Sequence, residues 1–255
     1  MPLARKLGCF LRLNSSEASY LGELQHHPLS LKQGTEFVHE GEGDQRAFIL
    51  ISGWGCCYKL LPEGSRQIIS FPLPGDIVGL SSLLLPTADQ SCTALTDVAA
   101  SCVDAKHMMR LFTEFPRLAA AILGTTVQDQ AILVDHLVDI GRRRATQRVA
   151  HFFLELSQRL QWVGLGSETE YECPLTQQDL ADALGLSQIH VNRVLRHLRE
   201  QGILTLQLHM VNIHSLAGLK PLAGYDDACI RFGFGPEIDS QRVPRPEARL
   251  TRPLH

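Results

Sequence analysis

Two short segments with helical periodicity, separated by a three-residue turn, constrain the fold of this chain more than any other feature. They lie in Leu175–Ile203, "LTQQDLADALGLSQIHVNRVLRHLREQGI". Thr176 with Asp179 is a capping signal for a first helix, and Gly185 suits its end because glycine tolerates a left-handed backbone. Ser187 can cap a second helix, whose apolar residues recur at helical spacing. The sequence therefore predicts a helix–turn–helix.

The second predicted helix presents polar residues on the face opposite its valines and leucines. An α-helix fits the major groove of B-DNA, where arginine can bind guanine, and asparagine or glutamine can bind adenine, through two hydrogen bonds. We interpret this face as a base-reading surface, against the alternative of an ordinary solvated helix. The residues predicted to contact DNA are Thr176, Gln177, Ser187, Gln188, Ile189, His190, Asn192, Arg193 and Arg196.

Segments on both sides of this pair complete a predicted winged domain over residues 141–225. Downstream, "ILTLQLHMVNIHS" alternates apolar and polar residues, which predicts a β-hairpin with its tip near His209. Leu204, Leu206 and Leu208 are predicted to share one face of that hairpin. Upstream, "RRRATQRVAHFFLELSQRL" predicts an amphipathic helix whose leading arginines either lie near DNA phosphates or are merely solvated. The residues predicted to face inward on it are Val149, Phe152, Phe153, Leu156 and Leu160.

Length and composition indicate a folded chain of two domains. The 255 residues are enough for two compact domains with a connection between them. Hydrophobic residues make up 44% and charged residues 20%, which argues against wholesale disorder. The formal net charge of −3 excludes a protein that coats DNA through global positive charge. It is compatible with a local basic face that binds DNA selectively, but does not argue for one.

Neither a membrane span nor a secretory leader is indicated. No segment has the apolar length of a membrane helix, and "MPLARKLGCFLRLNSSEASY" lacks a signal-peptide core with a cleavage site. We therefore expect a cytoplasmic protein with no membrane partner. The seven cysteines are scattered and odd in number, which suits reduced core thiols better than a disulfide framework.

The first half of the chain has the pattern of a β-domain. Between residues 29 and 103, glycine and proline turns separate short runs of alternating apolar and polar residues. Such spacing predicts a β-sandwich or barrel, with strands near Phe48–Ser52, Gly55–Leu61 and Gln67–Phe71.

A helical pattern follows from Met108, in "MMRLFTEFPRLAAAILGTTVQDQAILVDHLVDIG". Its apolar stripe, which includes Val127 and Val134, is wider than one β-domain would cover, and a second copy of the helix is the simplest partner. Gly124 is expected to weaken the helix locally, by about 1 kcal/mol relative to alanine if it is exposed. The residues predicted to form the dimer seam are Ile122, Leu133, Leu137 and Ile140.

A β-rich domain, a long helix and a winged helix–turn–helix, in this order, resemble the Crp–Fnr family of bacterial transcription regulators. The similarity extends from about Leu21 to Tyr225 and includes "FVHEGEGDQRAFILISGWGCCY", "LPGDIVGL" and "GRRRATQRVAHFFLEL". The most specific match is "LTQQDLADALGLSQIHVNRVLRHLREQGIL", whose S-x-x-x-V-x-R core matches the family's recognition helix. The resemblance implies a homodimer that binds a near-palindromic double-stranded DNA operator, with RNA polymerase as a candidate partner.

The pattern and the resemblance together predict an α+β fold in four parts. The first three are an N-terminal β-roll (jelly roll) of the cyclic-nucleotide-binding type at residues 1–110, a dimerisation helix at 111–140 and the winged helix–turn–helix at 141–225. The fourth is a C-terminal tail. Proline, glycine and charge dominate residues 226–255, which are predicted to be a disordered tail.

The stretch that would bind a cyclic nucleotide departs from the family pattern. Members that bind cyclic AMP hold its ribose and phosphate with a G-E-L-G stretch and an Arg-Ser pair. Here the stretch is "GLSSLLLPTADQSCTAL", in which Leu80 replaces the glutamate and "QSC" occupies the place of the arginine. Apolar Leu133 and Val134 replace the polar pair that contacts adenine. Without a charged partner for the phosphate, cyclic AMP is not expected to be the effector. The predicted pocket region comprises Gly79, Leu80, Ser81, Ser82, Ser91 and Cys92.

No metal site is predicted. Oxygen-sensing members hold an iron–sulfur cluster with several N-terminal cysteines, but only Cys9 lies in the first 50 residues, so no such cluster is expected. Cys56 and Cys57 are adjacent on a predicted strand and point to opposite faces, which disfavours a shared metal. Haem is not expected either, because histidine more often occupies ordinary core and surface positions. The formal candidates for an axial ligand are His26, His27, His39, His107 and His136.

Within the recognition helix, one position keeps the family pattern and another departs from it. Arg193 keeps the guanine-reading arginine, whereas Ile189 stands where an acidic residue is common. Isoleucine can contact the methyl group of thymine, so the operator half-site is expected to differ from that of the best-studied members.

Two other functions are compatible with parts of the sequence. The β-roll could belong to a signalling module that binds a cyclic nucleotide or another small ligand without a direct role on DNA. The winged domain and the missing phosphate-binding arginine argue against this alternative. An enzyme is not indicated, because the sequence lacks G-x-S-x-G, H-E-x-x-H, phosphate-loop and dinucleotide-binding motifs.

Overall fold

The computed structural model describes residues 1–43 and 46–225, so the predicted tail at 226–255 lies outside the described residues. The described chain contains a pair of N-terminal helices, a β-roll, a long helix and a winged helix–turn–helix, in that order. The predicted α+β fold is confirmed. No helix in the described ranges is both long and apolar enough to cross a membrane.

The β-roll consists of two antiparallel four-stranded sheets with a shared apolar core. Its strands are β1 (Leu29–Leu31), β2 (Glu36–Val38), β3 (Arg46–Ser52), β4 (Gly55–Leu60), β5 (Arg66–Ser70), β6 (Ile77–Val78), β7 (Ser91–Ala94) and β8 (Val98–Asp104). One sheet has the order β1-β8-β3-β6 and the other β2-β7-β4-β5. In β3, Phe48 and Leu50 face the core between the sheets, whereas Ala47 and Ile49 face the helices. Successive side chains of a strand point to opposite faces, which explains this alternation.

Two N-terminal helices, absent from the sequence-based prediction, precede the β-roll. They are α1 (Pro2–Leu7) and α2 (Ser15–Leu24). Pro2 suits a helix start, and Asn14 forms a capping box with Glu17, so both helices have local start signals. Their apolar residues pack on the β-roll and on the long helix in one buried cluster, which includes Leu3, Leu7, Phe10, Tyr20, Leu21, Ile49, Leu118 and Ala121.

Two helices and a short turn of helix complete the first half of the chain. They are α3 (Leu80–Leu84), α4 (Ala105–Glu114) and the 27-residue α5 (Pro116–Arg142). Gly124 lies inside α5, where an added Cβ would come within 2.9 Å of the Phe10 ring. Close packing against Phe10 therefore requires a glycine at this position, even though glycine lowers the helix propensity there.

The C-terminal half forms the predicted winged helix–turn–helix, with one strand more than the sequence indicates. Its elements are α6 (Ala145–Val163), β9 (Glu170–Glu172), α7 (Gln177–Leu184), α8 (Gln188–Glu200), β10 (Leu204–Gln207), β11 (Met210–Ile213) and α9 (Leu216–Ala223). The wing is a three-stranded antiparallel sheet in the order β10-β11-β9. The five residues predicted to face inward on α6 are all buried.

The tip of the wing corrects one prediction. Leu208 and His209 form the turn, with φ angles of 50° and 60°. Leu208 is 95% exposed, whereas Leu204 is fully buried, so these two residues do not share a face. Leu208 belongs to the turn and not to the strand. The alternation of apolar and polar residues in the sequence therefore extends one residue past the end of β10.

The two halves of the chain share a buried core. Trp54, Ile68 and Phe71 of the β-roll lie in the same cluster as Phe152 of α6 and Leu180 of α7. The Phe71 and Phe152 rings meet edge to face, with centroids 5.9 Å apart. The DNA-binding half is therefore packed on the β-roll, and not merely tethered to it by α5.

Candidate nucleic-acid interface and sensor cavity

The helix–turn–helix has the local hydrogen bonds that its sequence predicts. The Thr176 hydroxyl accepts from the Asp179 backbone N–H at 3.1 Å, and the Asp179 carboxylate accepts from the Thr176 N–H at 2.9 Å. Gly185 ends α7 in the left-handed conformation, with φ of 62°. The Ser187 hydroxyl accepts from the His190 N–H at 3.3 Å and starts α8. The predicted caps at both helices are confirmed.

The helix α7 is held in place from outside the motif. Arg66 of β5 donates to Asp179 at 2.6 Å and to Asp182 at 2.7 Å. Arg148 of α6 donates to the backbone carbonyl of Leu184, the last residue of α7, at 3.0 Å. The β-roll and α6 thus fix both ends of the helix that supports α8.

The exposed face of α8 contains six of the nine residues predicted to contact DNA. Val191, Val194 and Leu198 are buried, and the opposite face presents Gln188, Ile189, His190, Asn192, Arg193 and Arg196. Ile189 is 74% exposed, which leaves an apolar contact surface beside the polar ones. The Asn192 side-chain amide donates to the Gln177 side-chain oxygen at 3.1 Å, so these two predicted contact residues, from different helices, touch each other.

The arginines that precede α6 have different surroundings. Arg143 donates to the buried Asp139 carboxylate at 2.5 Å, and Asp139 also pairs with His151 at 2.8 Å. Arg142 and Arg144 are exposed. Arg143 therefore belongs to a structural ion pair at the bend between α5 and α6, which leaves the two flanking arginines available for phosphates.

A cavity of about 240 Å³ lies between the β-roll and α5. Gly79, Leu80 and Ser81 of the predicted pocket region line it, together with Leu133 and Asp129 of α5. The other three predicted pocket residues lie outside this lining. Ser82 and Cys92 are buried, and the buried Ser91 hydroxyl accepts from the backbone N–H of Glu40 at 3.1 Å. Of the whole stretch, the cavity is bordered by its start and by Asp89 and Gln90, so the predicted pocket residues at positions 82, 91 and 92 lie outside it.

An arginine from the DNA-binding half enters this cavity. Arg159 of α6 donates to Asp76 at 3.0 Å, to Glu155 at 3.3 Å and to the Phe71 carbonyl at 2.9 Å. A search of the β-roll sequence for a phosphate-binding cation misses Arg159, because it lies more than 80 residues downstream of Asp76. Neither spacing nor pattern indicates that these residues meet.

The carboxylates beside Arg159 stay ionised because each has two cationic neighbours. Burial alone would raise the pKa of Asp76, but Lys6 at 2.6 Å and Arg159 hold it below its ordinary value. Burial also opposes ionisation of Glu155, yet His136 at 2.5 Å and Arg159 lower its pKa to about 2. The cluster joins α1, the β-roll, α5 and α6 through buried charges.

The histidine candidates for haem have other partners or exposed positions. Burial alone would lower the pKa of His136, but Glu155 raises it above the ordinary value. His107 caps α4 through Asp104 at 2.7 Å, and His39 lies 3.3 Å from Glu36. His26 and His27 are exposed neighbours whose rings meet edge to face.

The cysteines of the β-roll do not converge on a metal site. Cys56 belongs to the core shared with α6, whereas Cys57 faces the core between the sheets, where its sulfur lies 2.9 Å from that of Cys92. Across residues 1–43 and 46–225, no group of three or more histidine, cysteine, aspartate or glutamate side chains could hold a metal ion.

The helix α5 has two apolar faces. One is buried on its own chain, and the other is an exposed stripe, here called the α5 stripe, formed by Leu123, Val127, Val134, Leu137 and Val138. Of the four predicted seam residues, Leu137 belongs to this stripe, and Leu133 and Ile140 are also exposed, at 42% and 38%.

The other three predicted seam residues contact their own chain. Ile122 is 6% exposed in the cluster with the N-terminal helices, and Leu133 borders the cavity. Ile140 lies beside Gly185 of the helix–turn–helix, 3.6 Å from the position of an added Cβ. Ile122 is therefore removed from the seam available to a second copy.

Two segments of the chain match known domain families. Residues 28–115 match the cyclic nucleotide-binding domain, and residues 147–222 match the Crp-like helix-turn-helix domain. With the fold, these matches define a transcription regulator in which a β-roll of the cyclic-nucleotide-binding type is joined to a DNA-binding domain.

Named relatives identify the family. The nitrogen fixation regulation protein FixK of Bradyrhizobium diazoefficiens is 30% identical over 212 residues, which cover 82% of this chain and 88% of that protein. The transcriptional activator protein FnrA of Stutzerimonas stutzeri is 24% identical over 84% of this chain and 87% of its own. The solved structure of FixK2 from Bradyrhizobium japonicum has a TM-score of 0.70 at 28% identity, covering 78% of this chain and 98% of that one. The chain belongs to the Crp–Fnr family.

Membership of this family decides between the functions left open by the sequence. The relatives are regulators of the Crp–Fnr family and this chain has a Crp-like helix-turn-helix domain, so the protein is a DNA-binding transcription regulator and not an enzyme. A ligand-binding module without a role on DNA is the alternative that this finding overturns.

Proposed function

We propose that the protein acts as a homodimer on near-palindromic DNA operators, with the α8 helix of each copy in one half-site. The observation that carries this proposal is the α5 stripe, which is exposed along the face of α5 opposite the one buried on its own chain. Its residues 123, 127, 134 and 137 follow the four-and-three spacing of a coiled-coil seam. Helix–turn–helix dimers bind half-sites about 34 Å apart, one turn of DNA, and we expect this spacing for a dimer formed through α5.

We further propose that the protein is cytoplasmic and that its partners are double-stranded DNA and RNA polymerase. The proposed DNA contacts are the nine residues named from the sequence, of which six lie on the exposed face of α8 and Gln177 touches one of them. The relative FnrA is named a transcriptional activator, so we include a contact with RNA polymerase.

Replacing Arg193 with alanine tests the assignment of the base contacts. Because arginine can donate two hydrogen bonds to guanine, the change should lose about 1–3 kcal/mol of discrimination at one guanine in each half-site. Mobility-shift titrations at one salt concentration, on the operator and on a version with that guanine replaced, measure the loss. Arg117→Ala is the matched control, because it removes the same charge at an exposed arginine of α5. Equal discrimination by Arg193→Ala and Arg117→Ala would contradict the assignment.

We infer that the cavity does not take cyclic AMP as its effector. Arg159 is the one cationic side chain among the described residues that line it, and it is already paired with Asp76 and Glu155. Asp76, Asp89 and Asp129 also line the cavity, so carboxylates outnumber the cation. A cyclic phosphate would have to displace a buried carboxylate from Arg159 and then lie near other negative charges, which is strongly unfavourable.

Calorimetry with cyclic AMP and cyclic GMP checks this inference. Neither nucleotide should show binding at micromolar concentration, and neither should change the affinity for the operator. Each missing charge-assisted hydrogen bond is worth about 1.5–3 kcal/mol, so the loss of two is enough to abolish micromolar binding. A saturable heat with either nucleotide at micromolar concentration would contradict the inference.

We also propose that the chain holds neither an iron–sulfur cluster nor a haem. The arrangement of the donors supports this, since Cys56 and Cys57 face different cores and His136 is engaged by Glu155. A four-thiolate cluster needs cysteines that converge on one point.

A further inference from the structure

Two side chains on the candidate DNA surface are joined across the turn. Asn192 projects from α8, and Gln177 is the first residue of α7. The Asn192 Nδ2 donates to the Gln177 Oε1 at 3.1 Å. Asn192 is exposed and Gln177 is half-buried, so the pair lies at the surface with one end anchored.

The anchored end is rigid because the first turn of α7 is held by several bonds. Thr176 and Asp179 cap each other, and Arg66 pairs with Asp179 at 2.6 Å. The neighbouring Gln178 takes no part in the contact between the helices, because its amide donates to Asp182 of its own helix at 2.6 Å. Of these two adjacent glutamines, Gln177 is the one positioned to orient a residue of α8.

The bond determines what Asn192 can offer to a base. An asparagine amide has two N–H donors and one carbonyl acceptor, and one donor is used by Gln177. The remaining N–H and the Oδ1 form the donor–acceptor pair that matches adenine, whose major-groove edge presents the N7 acceptor and the N6–H donor. Guanine presents two acceptors there, cytosine a donor and thymine an acceptor with a methyl group, so none of them satisfies both groups.

We propose that Gln177 is a positioning residue that sets the orientation of the Asn192 amide, so that Asn192 reads adenine at one base pair of each half-site. The Nε2 of Gln177 keeps its own N–H donors for a neighbouring DNA phosphate. Gln177 would then contact a DNA phosphate, which fixes the position of the protein along the DNA, and would also orient the base-reading Asn192. Because Gln177 already holds Asn192 in place, binding costs less side-chain entropy than it would with a freely rotating asparagine. This inference rests on the proposed function.

The experiment starts from a half-site selected by the wild-type protein from randomised DNA duplexes. Affinities are then measured for duplexes with each of the four base pairs at each half-site position. Asn192→Ala should remove an adenine preference at one position, a change of about 5- to 150-fold in relative affinity. Gln177→Ala should remove most of the same preference at the same position. Gln178→Ala, the matched control on the adjacent residue, should leave the preference intact.

Gln177→Glu separates positioning from the phosphate contact. A glutamate still accepts from Asn192, so the adenine preference should be retained, while repulsion of a phosphate should weaken binding to all duplexes alike. A carboxylate is also favourable in the first turn of a helix, so folding should not suffer. If Gln177→Ala lost the adenine preference only through a structural defect, Gln177→Glu would not be expected to keep the preference while its overall affinity falls.

Two results overturn the inference and leave the proposed function standing. In the first, the wild type selects a half-site and Asn192→Ala loses the adenine preference, but Gln177→Ala keeps it. In the second, Asn192→Ala changes no preference for adenine at any position. Failure of the proposed function itself looks different, because the wild-type protein would then select no half-site at all.

Discussion

Replacing Arg159 with methionine should lower the free energy of unfolding by about 3 kcal/mol. Removing one partner of a buried ion pair costs about 3–5 kcal/mol, since it leaves an uncompensated charge away from water. Arg159 is paired with Asp76 and Glu155, whose side chains are 12% and 2% exposed. Each carboxylate keeps one cation, Lys6 for Asp76 and His136 for Glu155, which places the loss at the lower end of that range. Denaturant unfolding, at one protein concentration for all variants, measures the loss.

Arg110→Met is the matched control for this result. Arg110 also bonds two carboxylates, Glu23 at 2.7 Å and Glu114 at 3.0 Å, but these side chains are about half exposed. Solvent screens such pairs, so the control should lose only a small part of what Arg159→Met loses. Equal losses in the two variants would show that burial does not decide the strength of the Arg159 cluster.

Replacing Leu137 with aspartate should convert the protein from a dimer to a monomer. Leu137 belongs to the α5 stripe and is 72% exposed in the single chain, so the charge costs little until a second helix covers it. In a dimer seam the same charge would be buried without a partner. Light scattering at micromolar concentration should give two copies of the 28.3 kDa chain for the wild type and one copy for the variant.

Loss of the dimer should weaken operator binding by about 100-fold or more, because two linked half-site contacts gain that much over one. Leu84→Asp is the matched control. It makes the same change at a leucine that is 74% exposed at the end of α3 and is not part of the α5 stripe. The control should remain a dimer with unchanged operator affinity. A wild-type monomer, or a dimer that survives Leu137→Asp, would contradict the proposed assembly.

Features that depend on neighbours along the chain could be predicted from the sequence. The Thr176–Asp179 cap, the left-handed Gly185 and the Ser187 cap are each formed within three or four residues. The strands of the β-roll follow from an alternation of period two, and Cys56 and Cys57 do face different cores as that period requires. Backbone geometry and capping chemistry are local, so a short window of sequence contains them.

The two N-terminal helices also have start signals that are local in the sequence. The Asn14 and Glu17 capping box and Pro2 at a helix start are as local as the signals of the helix–turn–helix. No local signal reveals that these helices pack on α5. That contact turns Ile122 inward and makes the absence of a Cβ at Gly124 necessary.

Tertiary packing also decided which residues the cavity and the DNA surface bring together. Periodicity assigns Ile122, Leu133, Leu137 and Ile140 to apolar faces of α5, but not to a particular neighbour. Arg159 meets Asp76, and Gln177 meets Asn192, only because α6 packs on the β-roll and α7 crosses α8. The free energy of such contacts depends on burial and on partners distant in sequence, and the pattern along the chain specifies neither.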